Sequence, residues 1–229
     1  MIFGGPGTAK TLSDTFKTLL AHCDDGTNYF TGETGVRLDF ISVHEKGVRS
    51  HAEDLNPNSI GIVEREAAAI DYIRTHHPRF ADLPFMNDEC DPQVGWSQIH
   101  SWRGKPYYAA LACKIIDQHQ QRLSDDLGCN YALLSNDNGF LGSWGNRTLV
   151  TRFSESNKAL VGGQAEFLDS GKRYAVEQVP SFAIIKKPIL NVMAALAHLG
   201  EQRLKVETTS ETNTELCILA THHKREQIA

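Results

Sequence analysis

Apolar runs along the chain predict strands that alternate with helices. Three short runs have the length and composition of buried strands: residues 36–43, 83–86 and 131–134. Between them, apolar residues recur at the spacing of one helix face, from Ile60 to Ile73 and again from Tyr108 to Ile116. Pro78 lies just beyond the first of these stripes, where it would end a helix. The order strand, helix, strand, helix, strand predicts an α/β fold with a parallel sheet and right-handed crossovers.

The pattern changes after Val150. Glycine-containing segments then predict turns between short extended pieces, and the conformation of residues 154–181 is left open. Lys187 and Pro188 precede an amphipathic helix, because apolar residues follow them at helical spacing. Residues 203–221 predict two strands separated by a polar turn.

The N-terminal residues Gly4-Gly5-Pro6-Gly7 predict a turn, and the longer sequence GGPGTAKT, residues 4–11, differs by one residue from a phosphate-binding loop. Such a loop has the form G-x-x-x-x-G-K-[ST], and Ala9 stands in the position of its last glycine. A methyl group there obstructs the backbone curl around phosphate, and almost no strand precedes the segment. We therefore favour a plain loop at a strand end over a nucleotide site.

Polar side chains cluster directly after each of the three predicted strands. The clusters are His44-Glu45-Lys46, Asn87-Asp88-Glu89 and Ser135-Asn136-Asp137-Asn138. Each could be an ordinary helix cap or an Asn/Asp turn on its own. Three such strand ends in succession would face one mouth of an α/β barrel, where these folds hold their chemistry. The pattern favours a cleft for a sugar or another small molecule, with a carboxylate as nucleophile or general base.

Arg147 follows a Gly/Trp-containing loop, close to the third cluster. A guanidinium in such a loop can bind a carboxylate through two parallel hydrogen bonds, although a surface arginine is the simpler interpretation. Asn146-Arg147-Thr148 also matches the N-glycosylation pattern, and a glycan there would be incompatible with a pocket lined by Arg147.

Composition excludes several classes of function. The 229 residues carry 23 basic and 28 acidic side chains, a net charge of −5, which argues against a nucleic-acid partner. The longest apolar stretch, residues 188–199, is too short for a membrane span, and the N-terminus has no signal-peptide pattern. The five cysteines form no C-x-x-C pair and support neither a zinc knuckle nor a closed disulfide framework.

Five segments resemble glycoside hydrolase family 39, in particular its members that act on α-L-iduronides. They are CDDGTNYFTG (23–32), VRLDFIS (36–42), FADLPFMNDECDPQVGWS (80–97), YALLSNDNGFL (131–141) and RTLVTRF (147–153). The resemblance is strongest over about residues 20–155. It implies a lysosomal enzyme that removes terminal α-L-iduronic acid from dermatan sulfate and heparan sulfate, with retention of configuration and without a metal or organic cofactor.

The resemblance also implies roles for individual residues. They are a nucleophile at Glu89, sugar-side contacts at His44, Lys46 and Asp137, and a clamp on the iduronate carboxylate formed by Arg147 with the backbone N–H groups of Gly95 and Trp96. The acid/base carboxylate of the family lies in an Asn-Glu-Pro motif, and these 229 residues contain no such tripeptide.

We therefore expect a partial (β/α)₈ barrel, roughly strands 5–8, over residues 1–200, followed by the beginning of a β-sandwich over residues 201–229. The partners implied are a glycosaminoglycan or oligosaccharide substrate and the missing N-terminal half of the same protein, with no nucleic acid and no membrane. The chain alone is expected to be inactive. The alternatives are a β-xylosidase of the same family, a non-catalytic carbohydrate-binding remnant and, third, the nucleotide binder.

Overall fold

The computed structural model describes residues 1–47, 59–95, 99–141, 146–153, 183–207 and 218–224. Trp96, the Gly/Trp loop at 142–145, residues 154–181 and Cys217 lie outside these ranges. The chain divides into two compact units. The first comprises Met1–Ser50, Leu55–Val94 and Gln118–Asp137, and the second comprises His51–Asp54, Gly95–Asp117 and Asn138–Ala229.

The first unit contains a four-stranded parallel sheet. Its strands, in spatial and sequence order, are β1 (Gly4–Thr8), β2 (Phe40–Val43), β3 (Phe85–Asn87) and β4 (Tyr131–Leu134). Helices separate successive strands along the chain, so the predicted α/β class and parallel sheet are confirmed. β4 has the predicted bounds, whereas β2 is shorter than the apolar run that predicted it.

Two helices cover the sheet of the first unit. α1 (Asp14–Asp25) begins at Ser13, whose Oγ accepts a hydrogen bond from the Phe16 N–H at 3.3 Å. α2 (Ile60–His76) ends just before Pro78, as predicted, and a 3₁₀ turn follows (Pro78–Phe80). The core of the unit combines apolar residues from the two helices, the sheet and a π-helix (Gln120–Asp126) that precedes β4: Phe16, Leu20, Ile41, Val63, Ile70, Phe85 and Leu123.

The glycine-rich N-terminus is a strand, so the turn predicted from its glycines and proline is wrong. Gly4 pairs with Phe40 in β2, and a Cβ at Gly4 would collide with the Phe40 ring. The glycine is therefore explained by close packing against a neighbouring strand rather than by a phosphate. Thr11 gives a second argument against a phosphate site. Its N–H and Oγ1 both donate to Glu45 Oε2 at 3.0 Å. A carboxylate already binds the donors that a nucleotide loop would offer, so the nucleotide interpretation is wrong as well.

The second unit has a helical core and two small antiparallel sheets. It contains a 3₁₀ turn (Ser101–Gly104), most of α3 (Pro106–His119), and α4 (Pro188–Ala197). Its buried core comes mainly from α3 and the first turn of α4: Trp102, Tyr108, Ala109, Leu111, Ala112 and Ile189. Pro188 occupies the first turn of α4, as predicted from the sequence.

Two strand pairs complete the second unit. β5 (Val150–Phe153) pairs antiparallel with β6 (Ala183–Lys186), and neither strand was predicted with these bounds. β7 (Gln202–Arg203) pairs antiparallel with β8 (Thr221–His222), so the strands expected over 203–221 are much shorter in the described residues. No helix in the described ranges is both long and apolar enough to cross a membrane.

Candidate active site

Three neighbouring strands of the first unit end at the same level. Val43 of β2 pairs with Asn87 of β3, and Asn87 pairs with Leu134 of β4. The chain segments that follow must therefore meet at one edge of the sheet. Backbone hydrogen bonds join them, since the Cys90 N–H donates to Ser135 O at 2.8 Å and the Gly47 N–H donates to Asp91 O at 2.9 Å. The sequence correctly predicted that the three polar clusters share this edge.

Lys46 links the second and third clusters. Its Nζ donates to the backbone oxygen of Glu89 at 2.8 Å, to Glu89 Oε2 at 2.9 Å and to Asp137 Oδ2 at 3.3 Å. An ammonium group has three N–H donors, so these three acceptors use its full capacity. The Lys46 side chain is only 10% exposed, which weakens solvent screening of the two ion pairs. Lys46 thus fixes both the backbone and the carboxylate of Glu89.

His44 lies between two carboxylates of the second cluster. Its Nε2 is 3.1 Å from Asp88 Oδ1, and its Nδ1 is 3.6 Å from Glu89 Oε2. Gly7 of β1 packs against this ring, since a Cβ at Gly7 would lie 3.2 Å from His44 Nε2 and the glycine has a φ of +60°. A larger residue would crowd the imidazole and strain the backbone. The ring is therefore held from three directions.

The carboxylate of Glu89 is held through one of its two oxygens. Lys46 and His44 both approach Oε2, and within the described ranges no hydrogen bond or ion pair reaches Oε1. The side chain is 38% exposed. The arrangement orients one oxygen toward protein donors and leaves the other available for a bond to a substrate atom. A carboxylate in this arrangement can act as a nucleophile.

A network of buried polar side chains holds the backbone of Glu89 in place. The Glu89 N–H donates to Asn87 Oδ1 at 3.2 Å, and Asn87 Nδ2 donates to Glu66 Oε1 at 2.6 Å and to Glu45 O at 2.7 Å. Glu66 is fully buried on α2, and the Tyr131 hydroxyl donates to its Oε2 at 2.7 Å. Burial, with the Glu66 carboxylate beside it, raises the pKa of Tyr131 well above its usual value.

Sequence reasoning missed Glu66, although a signal for it exists. Glu66 lies four residues after Ile62 and four before Ile70, on the apolar face of the predicted helix. A carboxylate on a buried helix face requires polar partners, because an isolated buried charge is costly. Glu45 was included in the first cluster, but no role was predicted for it. It is fully buried, and its Oε1 pairs with Arg65 Nε at 2.6 Å.

Cys90 follows Glu89 directly, but its thiol is expected to be unreactive. Its side chain is fully buried, and burial raises the pKa of the thiol well above its usual value. A thiol rather than a thiolate is a poor nucleophile. The other described cysteines, Cys23, Cys113 and Cys129, are also free thiols with a raised pKa, again chiefly because of burial.

The remaining predicted site residues belong to the second unit. Arg147 is fully buried, so the surface-loop interpretation is wrong. Its backbone oxygen accepts a hydrogen bond from Asn138 Nδ2. Gly95 has a φ of +86°, a conformation that favours glycine, and its oxygen accepts from Arg103 NH1 at 3.3 Å. Trp96 lies outside the described residues.

Comparison with known proteins gives a consistent result. The family described as "Glycosyl hydrolases family 39" matches residues 1–229. α-L-Iduronidase of Homo sapiens is 39% identical to this chain, with 96% of this chain and 32% of that protein covered. α-L-Iduronidase of Mus musculus is 38% identical, with 96% and 33% covered. The chain therefore spans about a third of the length of the curated relatives it matches.

A solved structure is also similar. It is that of a bacterial orthologue of human α-L-iduronidase, with a TM-score of 0.72 and 46% identity, covering 87% of this chain and 30% of the other. That orthologue is catalytically competent without N-glycans.

Proposed function

The chain belongs to glycosyl hydrolase family 39, and from that premise we propose that it carries the nucleophile of a retaining glycosidase that removes terminal α-L-iduronic acid from dermatan sulfate and heparan sulfate. The observation that carries the proposal is the set of contacts among Lys46, Glu89 and Asp137 at the ends of three parallel strands. Lysosomal action on glycosaminoglycans is part of the same proposal. Its only basis is the resemblance to iduronidases.

Glu89 is the nucleophile in this account. Its Oε1 attacks the anomeric carbon, a carbon–oxygen ester bond forms, and the glycosidic bond breaks with its electron pair leaving on the departing oxygen. A second carboxylic acid protonates that oxygen and then removes a proton from the water that cleaves the ester. Lys46 and His44 hold Oε2, so Oε1 is the oxygen turned toward the sugar. Carboxylates and water suffice for both steps.

Asp137 and His44 serve as ligands of the sugar. Asp137 has a φ of +55°, an uncommon conformation for a residue other than glycine, and its side chain is 19% exposed beside Lys46. A carboxylate fixed in this way accepts hydrogen bonds from sugar hydroxyls. Because Lys46 contacts both Asp137 and Glu89, substrate binding and nucleophile orientation share one cation.

Arg147 binds the carboxylate of the uronic acid, together with the backbone N–H groups of Gly95 and Trp96. A guanidinium matches a carboxylate with two parallel hydrogen bonds, and a neutral pentose offers no such partner. The Arg147 side chain is fully buried, so the proposal requires that substrate binding uncovers the guanidinium. This role separates an iduronidase from a β-xylosidase of the same family.

The acid/base carboxylate lies in a segment outside these 229 residues. The chain has no Asn-Glu-Pro tripeptide, and Asp137 is already assigned to the sugar. Residues 1–200 then correspond to strands 5–8 and the associated helices of a (β/α)₈ barrel, and residues 201–229 begin a β-sandwich. The four parallel strands with intervening helices support this assignment, as does the 46% exposure of Leu133 on β4, which a closed barrel would cover.

A hybrid enzyme tests the proposal. The bacterial orthologue is competent without N-glycans, so its matching region is replaced by these 229 residues and the protein is made in bacteria. The hybrid enzyme should hydrolyse a fluorogenic α-L-iduronide, whereas the 229-residue chain alone should not. Hydrolysis by the chain alone that is lost in Glu89→Gln would show that the acid lies within the chain and would overturn its placement outside.

A further inference from the structure

Lys187 occupies a buried position between a strand and a helix of the second unit. It follows β6 directly and caps α4, and its N–H donates to Leu149 O at 3.0 Å. The side chain is nearly buried, at 8% exposure. Burial lowers the pKa of Lys187 to about 8. An ammonium group held in such a place costs free energy that an apolar side chain would not, which calls for a reason beyond packing.

The side chain of Lys187 reaches both neighbours of Arg147. Its Nζ donates to Asn146 O at 3.0 Å and to Thr148 Oγ1 at 2.7 Å. Asn146 has a φ of +71°, a left-handed conformation that asparagine adopts more readily than most residues but that its surroundings must still select. A hydrogen bond to the Asn146 carbonyl contributes to that selection. Lys187 therefore fixes the backbone on each side of Arg147.

Asn138 adds a third attachment point. Its Nδ2 donates to Arg147 O and also to the Tyr108 hydroxyl at 3.2 Å, which uses both N–H groups of the amide. Tyr108 lies on α3 in the same apolar core as Ile189 of α4. The segment around Arg147 is thus tied to α3 through Asn138 and to α4 through Lys187.

We propose that Lys187 is a positioning residue for uronate specificity, which acts by fixing the backbone of residues 146–148 so that the Arg147 guanidinium meets the substrate carboxylate. The inference rests on the role of Arg147 proposed above. A two-pronged pair between guanidinium and carboxylate depends on geometry, and displacement by about 1 Å can cost on the order of 100-fold in rate. Lys187 itself touches no substrate in this account.

The alternative is that Lys187 only stabilises the fold. A purely structural lysine would lower the activity on all substrates together when it is lost. A positioning lysine would raise the KM for the iduronide while the kinetics on a neutral β-xyloside stay close to wild type. The two roles are therefore separable by selectivity, whatever happens to stability.

The experiment is a double-mutant cycle in the hybrid enzyme, with kcat and KM measured on a fluorogenic α-L-iduronide and a β-xyloside. Lys187→Met should lower kcat/KM for the iduronide by about tenfold more than for the xyloside, mainly through KM. In the Arg147→Ala background it should cause no further loss of selectivity, because the guanidinium that it positions is gone. Lys186→Met, one residue earlier and exposed, is the matched control and should leave both substrates unchanged.

The outcomes separate the two proposals. Equal losses on both substrates, or selectivity losses that add in the double variant, would overturn the role of Lys187 while leaving Arg147 in place. An Arg147→Ala variant that loses no selectivity would overturn the proposed uronate reader itself. If Lys187→Met does not fold, Thr148→Val decides, because it removes the hydroxyl that accepts from Nζ at 2.7 Å while keeping the side-chain shape. A selective loss of a few fold supports the inference, and an unselective one overturns it.

Discussion

The surroundings of Glu89, the proposed nucleophile in the first unit, and those of Arg147 in the second unit hold their central residue in different ways. Glu89 is 38% exposed, and Lys46 and His44 contact its carboxylate directly. Arg147 is fully buried, and Lys187 and Asn138 hold the backbone of its segment. Both side chains are held in place, but Glu89 is held through its carboxylate, whereas Arg147 is held through the backbone of its neighbours. With the roles proposed above, substitutions in the first unit should lower turnover of every substrate, and those in the second should change selectivity.

The largest expected effect is that of Glu89→Gln. In the hybrid enzyme it should lower kcat by several powers of ten on iduronide and xyloside alike, because the covalent step is lost, and each factor of ten is about 1.4 kcal/mol. Glu64→Gln, on the exposed side of α2, is the control and should retain wild-type rates. Activity of Glu89→Gln within tenfold of wild type would remove Glu89 from the nucleophile's role.

Lys46→Met should have the next largest effect. It removes the donor that reaches Glu89 Oε2 and Asp137 Oδ2, and loss of one such oriented donor lowers rates by roughly 10²-fold. Because Lys46 orients the nucleophile, kcat should fall equally on iduronide and xyloside. A fall in kcat on the iduronide alone would instead place Lys46 in uronate recognition. It would contradict the assignment of turnover to the first unit and selectivity to the second.

Arg147→Ala should separate the two substrates. Loss of a charge-assisted pair to the carboxylate is worth about 1.5–3 kcal/mol, or roughly 10- to 200-fold in kcat/KM for the iduronide, with little change for the xyloside. Steady-state kinetics on the two fluorogenic substrates measure the ratio. Equal losses on both would mean that Arg147 does not read the carboxylate.

Tyr131→Phe tests the support beneath the nucleophile. It leaves the buried Glu66 Oε2 without the hydroxyl that donates at 2.7 Å, which should lower the free energy of unfolding by about 1–3 kcal/mol. Denaturant unfolding measures the change, and Tyr29→Phe is the control because Tyr29 is 91% exposed. An unchanged midpoint would show that the network below Glu89 contributes nothing to stability.

The smallest expected effect is a pH dependence of stability in the second unit. Burial lowers the pKa of folded Lys187 to about 8, below the ordinary lysine value of 10.5. Between these values the unfolded state binds the extra proton, so stability should rise with pH from about 8 to 10.5. Unfolding midpoints of wild type and Lys187→Met should diverge over this range in favour of wild type. Parallel curves would contradict the lowered pKa.

The sheet of the first unit was largely predictable, because a buried strand appears in the sequence as a short run of mostly apolar residues. Residues 131–134 became β4 without a change of bounds. β2 begins only at Phe40, after the charged residues Arg37 and Asp39 of the predicted run, whose side chains pair with each other at 2.8 Å. Those two charges were a visible break in the apolar run, and the shorter strand agrees with them.

The hydrophobic pattern predicted neither of two N-terminal elements, for opposite reasons, and only the family resemblance implied a strand end near residues 3–6. α1 had a readable signal, a Ser13 cap followed by Phe16 and Leu20 at helical spacing. β1 had none, because Gly4 is explained by the approach of the Phe40 ring and Gly7 by the His44 ring, and both rings come from a segment more than thirty residues along the chain. Glycine composition alone cannot distinguish a turn from a tightly packed strand.

The candidate site was predictable to the level of clusters but not of networks. Parallel strands end at one edge of the sheet, so the polar residues that follow each strand, among them His44, Asp88 and Asp137, had to converge. The buried carboxylate of Glu66 depends on Asn87 and Tyr131, which come from two other elements. Contacts of this kind are set by tertiary packing and are not encoded in local sequence spacing.

The most direct test of the central claim is to trap the glycosyl ester. A fluorinated α-L-iduronosyl fluoride carries a leaving group that needs no acid, and its ring fluorine slows hydrolysis of the ester. The hybrid enzyme is incubated with this reagent, digested, and sequenced by tandem mass spectrometry, which separates Glu89 from the adjacent Asp88. The account predicts one adduct, on Glu89, and none in Glu89→Gln. An adduct on Asp137 or another carboxylate, or equal labelling of Glu89→Gln, would contradict it.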